Sequence, residues 1–125
     1  MRLLVDTHAL IWWLHDSPRL SKIVREAFAN PDNELFVSAC VAYEIAYKER
    51  SGRLPPLTEH LSRQLLREGI SAVPVSLDHA LAAAALPGPH RDPWDRIMMA
   101  QAIAEGLTVV TVDPQFARYS VPVLW

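Results

Sequence analysis

The sequence predicts an α/β fold with a central, mostly parallel sheet of four to five strands flanked by helices on both faces. Short apolar runs of strand length alternate along the chain with longer segments of helical spacing, an order that is typical of βαβ units. The chain has 125 residues, half of them hydrophobic, which is enough for one buried core. Residues 1–125 are therefore expected to form a single domain.

The first half of the chain is divided by residues that begin or end regular structure. Asp6 or Thr7 can cap a helix directly behind the first strand, and Ser17-Pro18 ends that helix. Turn residues at Asn30–Asn33 precede the second strand. The expected elements are a strand at Arg2–Val5, a helix from there to about Asp16, a helix at Ser21–Ala29, a strand at Glu34–Ser38 and a helix at Val41–Arg50.

The second half contains the best-capped helix of the chain. Asp92 fits the N-cap, Pro93 the first helical position, and Gly106 the stop. The prolines at positions 55 and 56 predict a loop before the helix that Thr58 opens. The expected elements are a helix from Thr58 to about Gly69, a strand at Ser71–Val75, helices at Leu77–Leu86 and Asp92–Glu105, a strand at Leu107–Val112 and an edge strand at Val121–Leu124.

Four carboxylates fall where this fold would gather them. Asp6 and Asp113 end strands, and the functional crevice of an open α/β sheet lies outside the carboxyl ends of its strands. Asp95 occupies the first turn of a helix, and Glu44 lies in a helix that begins soon after the second strand, so both can reach the same volume. Each acid also has a structural alternative: a helix cap for Asp6, the helix dipole for Asp95, an ion pair with Lys48 for Glu44 and a turn for Asp113.

A cluster of acids must be paired, protonated or bound to a metal ion. No lysine or arginine closely follows Asp6 or Asp113, so a divalent cation held by oxygen ligands is the economical interpretation, with Mg²⁺ expected and Mn²⁺ as an alternative. Such a site suits phosphodiester hydrolysis by a metal-activated water. Because this path needs no 2′-hydroxyl nucleophile, the expected product ends are a 5′-phosphate and a 3′-hydroxyl.

Four segments, in this order, carry a resemblance that spans nearly the whole chain: Leu4-Val5-Asp6-Thr7, Tyr43-Glu44-Ile45-Ala46, His90–Arg96 with Ala100-Gln101-Ala102, and Val110–Asp113. They resemble the PIN-domain ribonucleases and, more narrowly, the VapC toxins of bacterial toxin–antitoxin pairs. The resemblance implies one PIN-like domain, endonucleolytic cleavage of RNA such as transfer or ribosomal RNA, a homodimer and a small VapB-like antitoxin.

The resemblance also assigns roles to residues. It makes Asp6, Glu44, Asp95 and Asp113 the metal-site acids and Thr7, Ser38 and Thr111 supporting hydroxyls. Asp92 is an extra carboxylate beside Asp95, and the capping argument gives it a structural role, with a water-mediated contact to the ion as the alternative. Arg96 adjoins Asp95 and is expected to meet RNA phosphates, whereas Lys48 and Arg50 are expected to be solvated surface charges.

Other features bound the function. The net charge of −2 argues against a protein that coats nucleic acid by bulk charge, and the single Cys40, expected to be a small buried hydrophobe, suits a reducing cytoplasm. The apolar run Ala9–Leu14 is too short to span a bilayer, so no membrane association is expected. Trp12-Trp13-Leu14 leaves open a helix with one face in a partner groove or a fully buried helix. The five histidines show no compact metal spacing and are expected at the surface or at caps.

Three rival functions fit the sequence less well. A receiver-like signalling domain would share the length, the sheet and a Mg²⁺ site, but it would want paired acids after its first strand and a lysine near its last, where this chain has Asp6-Thr7 and only Lys22 and Lys48. A phosphatase with an aspartyl nucleophile would want an aspartate at position 8, which is His8. A non-catalytic binding protein is disfavoured by the presence of all four acids.

Overall fold

The computed structural model describes all residues from 1 to 125 and contains one five-stranded sheet. Its strands are all parallel and run in the order β3-β2-β1-β4-β5. The strands are β1 (Arg2–Val5), β2 (Glu34–Ser38), β3 (Ile70–Val73), β4 (Thr108–Val110) and β5 (Val123–Leu124). The predicted α/β class and parallel sheet are confirmed.

Six α-helices connect and cover the strands. They are α1 (Thr7–Leu14), α2 (Lys22–Ala29), α3 (Ala39–Arg50), α4 (Leu61–Arg67), α5 (Leu77–Ala85) and α6 (Pro93–Glu105). Short 3₁₀-helices lie at Thr58–His60 and Phe116–Tyr119, so the helix expected from Thr58 is divided in two. The chain contains no helix of the length and apolar character that a membrane crossing requires.

β1 lies at the centre of the sheet and of the core. Its residues Leu3, Leu4 and Val5 are fully buried, and because successive strand residues point to opposite faces, both faces of the sheet are covered. Val5 is in register with Val37 of β2 and Val110 of β4. The three strands therefore end at the same level, and the residues that follow them meet at one edge.

β4 ends earlier than the apolar run Leu107–Val112 predicts. The backbone N–H of Asp113 donates to Thr111 Oγ1 at 3.0 Å, and Asp113 Oδ1 accepts from the N–H of Gln115 at 2.9 Å. These local bonds turn the chain after Val110 and leave the side chain of Val112 half exposed. Asp113 thus lies on a turn beyond the strand end rather than on the strand itself.

The two tryptophans of α1 pack against the rest of their own chain. The ring of Trp12 meets that of Trp125 edge-on with centroids 5.7 Å apart, and the ring of Trp13 meets Phe28 at 5.3 Å. Trp13 Nε1 donates to Glu68 at 2.9 Å. Both side chains remain partly accessible, so this helix is neither the fully buried one nor one with a free apolar face.

Candidate metal centre

The carboxyl edge of the sheet opens into a cleft of about 220 Å³. All four predicted site acids line it, together with one further acid and one lysine. The lining residues are Asp6, Thr7, His8, Glu44, Lys48, Asp92, Asp95, Met98, Val112, Asp113 and Phe116. Five carboxylates against a single lysine make the cleft strongly negative. The four acids therefore lie together at the strand ends, as the sequence predicts, and their role as metal ligands stays a prediction.

Asp6 holds its position by capping α1. One carboxylate oxygen accepts the backbone N–H of Ala9 at 2.8 Å, which is the N-cap bond that the sequence allows. Burial raises the pKa of the Asp6 carboxyl above its ordinary value, opposed by hydrogen bonds from Thr111 and Ala9. The cap and the site role are compatible, because the cap fixes one oxygen and the side chain still lines the cleft.

Glu44 is held at both oxygens. The hydroxyl of Thr7 donates to Oε1 at 2.6 Å, and the ammonium group of Lys48 donates to Oε2 at 2.5 Å. The expectation that Lys48 is a solvated surface charge is wrong: only 22% of its side chain is exposed, because α3 turns both Glu44 and Lys48 toward the cleft at i,i+4 spacing. The ion pair that the sequence allows between Glu44 and Lys48 is therefore present, and the Glu44 carboxylate also lines the cleft.

Asp95 sits beside a histidine that sequence reasoning passed over. His90 Nε2 lies 2.8 Å from Asp95 Oδ2, and the ligand atoms of His90, Asp95 and Asp113 all fall within 4.8 Å of one another. Burial raises the pKa of the Asp95 carboxyl to about 6, helped by the charges of Asp92 and Asp113 and opposed by His90. His90 was expected at the surface or at a cap, yet only 18% of its side chain is exposed.

The supporting hydroxyls act in different ways. Thr7 bonds Glu44 directly, and Thr111 accepts the N–H of Asp113 and holds that turn. Ser38 is fully buried and does not line the cleft; its hydroxyl caps α3 by accepting the N–H of Cys40 at 3.1 Å. Ser38 therefore supports the site only through the helix that carries Glu44. Cys40 is a buried free thiol, as expected.

Asp92 is the N-cap of α6, as its sequence position predicts. Its Oδ1 accepts the N–H of Trp94 at 2.9 Å and that of Asp95 at 3.2 Å. The side chain also lines the cleft, so it adds negative charge beside Asp95. The N-cap accounts for the position of Asp92, and the negative charge of Asp92 helps to raise the pKa of Asp95.

Arg96 does not face the cleft. Its guanidinium donates to four main-chain carbonyls, those of Ala83, Ala84, Leu86 and His90, and Nη1 reaches His90 O at 2.9 Å. These bonds do not favour the expected contact of Arg96 with RNA phosphates, which stays a prediction. One turn into α6, it points back over the end of α5, where the last carbonyls of a helix lack partners.

The donor set fits a hard divalent cation. Carboxylate oxygens dominate the cleft, and burial, which raises the pKa values of Asp6 and Asp95, makes their ionised forms unfavourable without a positive partner. Lys48 neutralises only one of the five acids. Asp6, Glu44, Asp95 and Asp113 are therefore suitable residues to hold Mg²⁺ or a similar ion.

The chain is similar to known proteins over nearly its whole length. The PIN domain family matches residues 3–122. Ribonuclease VapC22 from Mycobacterium tuberculosis is 33% identical over 121 residues, covering 95% of this chain and 92% of that protein.

Solved structures share the fold at lower identity. VapBC2 from Rickettsia felis bound to a promoter DNA fragment has a TM-score of 0.73 at 17% identity, covering 99% of this chain and 98% of that one. A toxin–antitoxin complex from Klebsiella pneumoniae has a TM-score of 0.69 at 23% identity, covering 98% and 96%. Mycobacterium tuberculosis VapC20, a toxin that cleaves the sarcin-ricin loop, has a TM-score of 0.67 at 14% identity, covering 93% of both chains. The chain belongs to the PIN-domain family and, within it, to the group of the VapC ribonucleases.

Proposed function

We propose that this protein is a metal-dependent endoribonuclease that hydrolyses RNA phosphodiester bonds at the carboxylate cleft. The observation that carries the proposal is the convergence of Asp6, Glu44, Asp95 and Asp113 on one cleft in a chain homologous to a VapC ribonuclease. A receiver-like domain is not favoured, because the PIN family matches almost the whole chain. A binding protein without catalysis is not favoured either, since the acids remain accessible from the cleft.

The four acids would hold Mg²⁺, with Mn²⁺ as the alternative. When bound, such an ion neutralises charge on the phosphate oxygens and activates a water for in-line attack. The chain itself fixes the acids: Thr7 orients Glu44, and Thr111 holds the turn of Asp113. Lys48 is the one ammonium group in the cleft, so it is placed to meet a phosphate oxygen as RNA enters. The expected products carry 5′-phosphate and 3′-hydroxyl ends.

We further propose that the protein is the toxin of a toxin–antitoxin pair, acts in the cytoplasm and is neutralised by a VapB-like antitoxin. Support comes from the structural neighbours, several of which are VapBC complexes or toxin–antitoxin complexes. Transfer or ribosomal RNA is the proposed substrate. VapC20, one of the neighbours, cleaves the sarcin-ricin loop, which is in keeping with a structured RNA target.

A homodimer completes the proposal, and the face formed by α3, α6 and α5 is the surface that suits it. Tyr43 and Tyr47 stack with their rings 6.2 Å apart, contact Trp94 and are 60% and 49% exposed, forming an aromatic ridge. On the other side of the start of α6 lies a hollow of about 200 Å³, lined by Ala80, Ala83, Ala84, Pro93, Arg96 and Ile97. A two-fold interface needs a self-complementary surface, and a ridge beside a hollow provides one.

An exposed leucine on α5 and another on α4 allow the proposed dimer interface to be tested. Leu81 is 61% exposed on α5, next in sequence to Ala80 of the hollow, and Leu66 on α4 is 81% exposed. We expect Leu81→Glu to convert the protein to a monomer by light scattering, whereas Leu66→Glu should leave the dimer intact. An unchanged mass for both variants would refute this interface.

The activity is tested by end-labelled cleavage of total transfer and ribosomal RNA with Mg²⁺, Mn²⁺ or chelator. Asp6→Asn is the test variant, and Asp32→Asn, in an exposed turn, is its matched control. Discrete products that require both metal and Asp6, and that persist with Asp32→Asn, are the expected result. Cleavage that survives chelator or Asp6→Asn would refute the proposed mechanism.

A further inference from the structure

His90 is a partly buried imidazole that contacts Asp95 at the side of the cleft, and the proposed carboxylate site does not use it. We propose that His90, Asp95 and Asp113 together form a mixed nitrogen and oxygen position for a divalent transition-metal ion, Mn²⁺ in preference to Mg²⁺. This inference rests on the proposed metal-dependent function and adds a ligand and a metal preference to it.

The first support is the spacing of the ligand atoms. Metal–ligand distances of about 2.1 Å at right angles put neighbouring ligand atoms about 3 Å apart. His90 Nε2 and Asp95 Oδ2 are 2.8 Å apart, and with the ligand atom of Asp113 all three lie within 4.8 Å. No large rearrangement is needed for the three to share one ion.

The second support is the way the loop before α6 is held. The backbone N–H of His90 donates to the hydroxyl of Tyr119 at 2.9 Å, and its carbonyl accepts from Arg96 at 2.9 Å. Gly88 has a φ of +102°, and a side chain there would put its Cβ 2.7 Å from the Tyr119 hydroxyl. Tyr119 and Arg96, which do not line the cleft, therefore hold the loop at the N–H and at the carbonyl of His90.

The third support is the fixed position of the two acids. Asp113 Oδ1 accepts the N–H of Gln115 at 2.9 Å, which orients its carboxylate on the turn. Asp95 lies in the first turn of α6, directly behind the cap that Asp92 forms. All three side chains are therefore carried by backbone that is bonded locally, as metal ligands require.

The chemistry of imidazole sets the metal preference. Mg²⁺ is bound by oxygen ligands and water, whereas imidazole nitrogen suits divalent transition metals. The competing role for His90 is a hydrogen bond that only orients Asp95. Glutamine separates the two roles, because its amide can still donate to Asp95 but offers no imidazole nitrogen.

The test uses the metal-stripped full chain with one equivalent of Mn²⁺ and electron spin echo modulation. Wild type should show coupling to a directly bound nitrogen that changes on ¹⁵N-histidine labelling. His90→Gln should lose that coupling, and the matched control His8→Gln, at the histidine that lines the cleft, should keep it. By calorimetry, His90→Gln should weaken Mn²⁺ binding at least about tenfold and Mg²⁺ binding less than about threefold.

Three results would overturn the inference alone. Mn²⁺ bound without nitrogen coupling would show that His90 is not a ligand. Unchanged Mn²⁺ binding in His90→Gln would mean that the histidine acts only by orienting Asp95, and equal weakening of both metals would likewise show that its nitrogen sets no metal preference. Failure of wild type to bind either metal would instead refute the proposed function. Unfolding of His90→Gln is excluded if its circular dichroism spectrum is identical to that of wild type.

Discussion

The ammonium group of Lys48 lies 2.5 Å from Oε2 of Glu44, so one acid of the cleft already has a cationic partner in the chain. The other oxygen of Glu44 accepts from Thr7. Asp6 and Asp95 form no ion pair with a lysine or arginine, and burial raises the pKa values of both carboxyls. The cleft therefore combines one carboxylate with a built-in countercharge and others that depend on an external one.

Removal of Lys48 should destabilise the fold through Glu44. Lys48→Met leaves a mostly buried carboxylate without its cation, at a cost of about 1–3 kcal/mol in the free energy of unfolding. The double variant Lys48→Met/Glu44→Gln should recover part of that loss, because no unpaired charge remains. Urea unfolding measures both. Lys22→Met is the matched control: its pair with Glu26 has the same spacing but is exposed, and should contribute less than about 0.5 kcal/mol.

Thr7 should matter through a single hydrogen bond. Thr7→Val keeps the shape of a buried residue but removes the donor to Glu44 Oε1, so we expect a loss of about 1.5–3 kcal/mol in stability and a lower kcat/KM on RNA. Thr7→Ser retains the hydroxyl and should stay close to wild type in kcat/KM. If valine and serine variants cleave equally well, the orientation of Glu44 by Thr7 plays no part in the activity.

Asp95 should make the metal-free protein less stable at neutral pH. Its folded pKa of about 6 lies above the ordinary value of 3.8, so the folded state binds the proton more tightly than the unfolded chain. The stabilising contribution of the protonated form is therefore full below pH 3.8 and is lost as the pH rises through about 6. Because asparagine does not ionise, Asp95→Asn should not lose this part of the unfolding free energy as the pH rises.

The measurement is urea unfolding of wild type and Asp95→Asn in chelator from pH 5 to pH 7. The variant should gain stability over wild type as the pH rises, and saturating Mg²⁺ should reverse the order by stabilising wild type alone. Asp32→Asn, in its exposed turn, should follow wild type at every pH. A difference between wild type and Asp95→Asn that does not change with pH would contradict the raised pKa.

Much of the site could be predicted from the sequence because strand ends fix positions. Asp6 follows a fully buried strand whose register with its neighbours sets the edge of the sheet, and Glu44 follows from the helix behind β2. His90 could not be predicted: its approach to Asp95 depends on a loop tied to Tyr119, 29 residues further on. The direction of Arg96 likewise depends on where α5 ends, which the spacing of charges does not show.

Two substitutions of Asp92 can separate its role as the N-cap of α6 from the effect of its negative charge. Asp92→Ala removes the acceptor for two N–H groups and should cost about 0.5–2 kcal/mol, measured by thermal or urea unfolding. Asp92→Asn keeps a capping oxygen, so its stability should stay near wild type. If Asp92 also reaches the ion through water, Asp92→Asn should weaken Mg²⁺ binding in calorimetry; an unchanged affinity would restrict Asp92 to the cap.

Arg96 should act on the fold and not on RNA. Its guanidinium bonds the carbonyls at the end of α5 and that of His90, and the single ammonium of Arg96→Lys cannot span them. We expect Arg96→Lys to lower the unfolding free energy. Arg96→Met, which removes the charge, should leave RNA affinity in the inactive Asp6→Asn background, and the slope of that affinity with salt, close to the values of Asp6→Asn alone. Lys48→Met in the same background should flatten the slope, since Lys48 lies in the cleft. A flatter slope with Arg96→Met, in a variant that is still folded, would show that Arg96 contacts a phosphate.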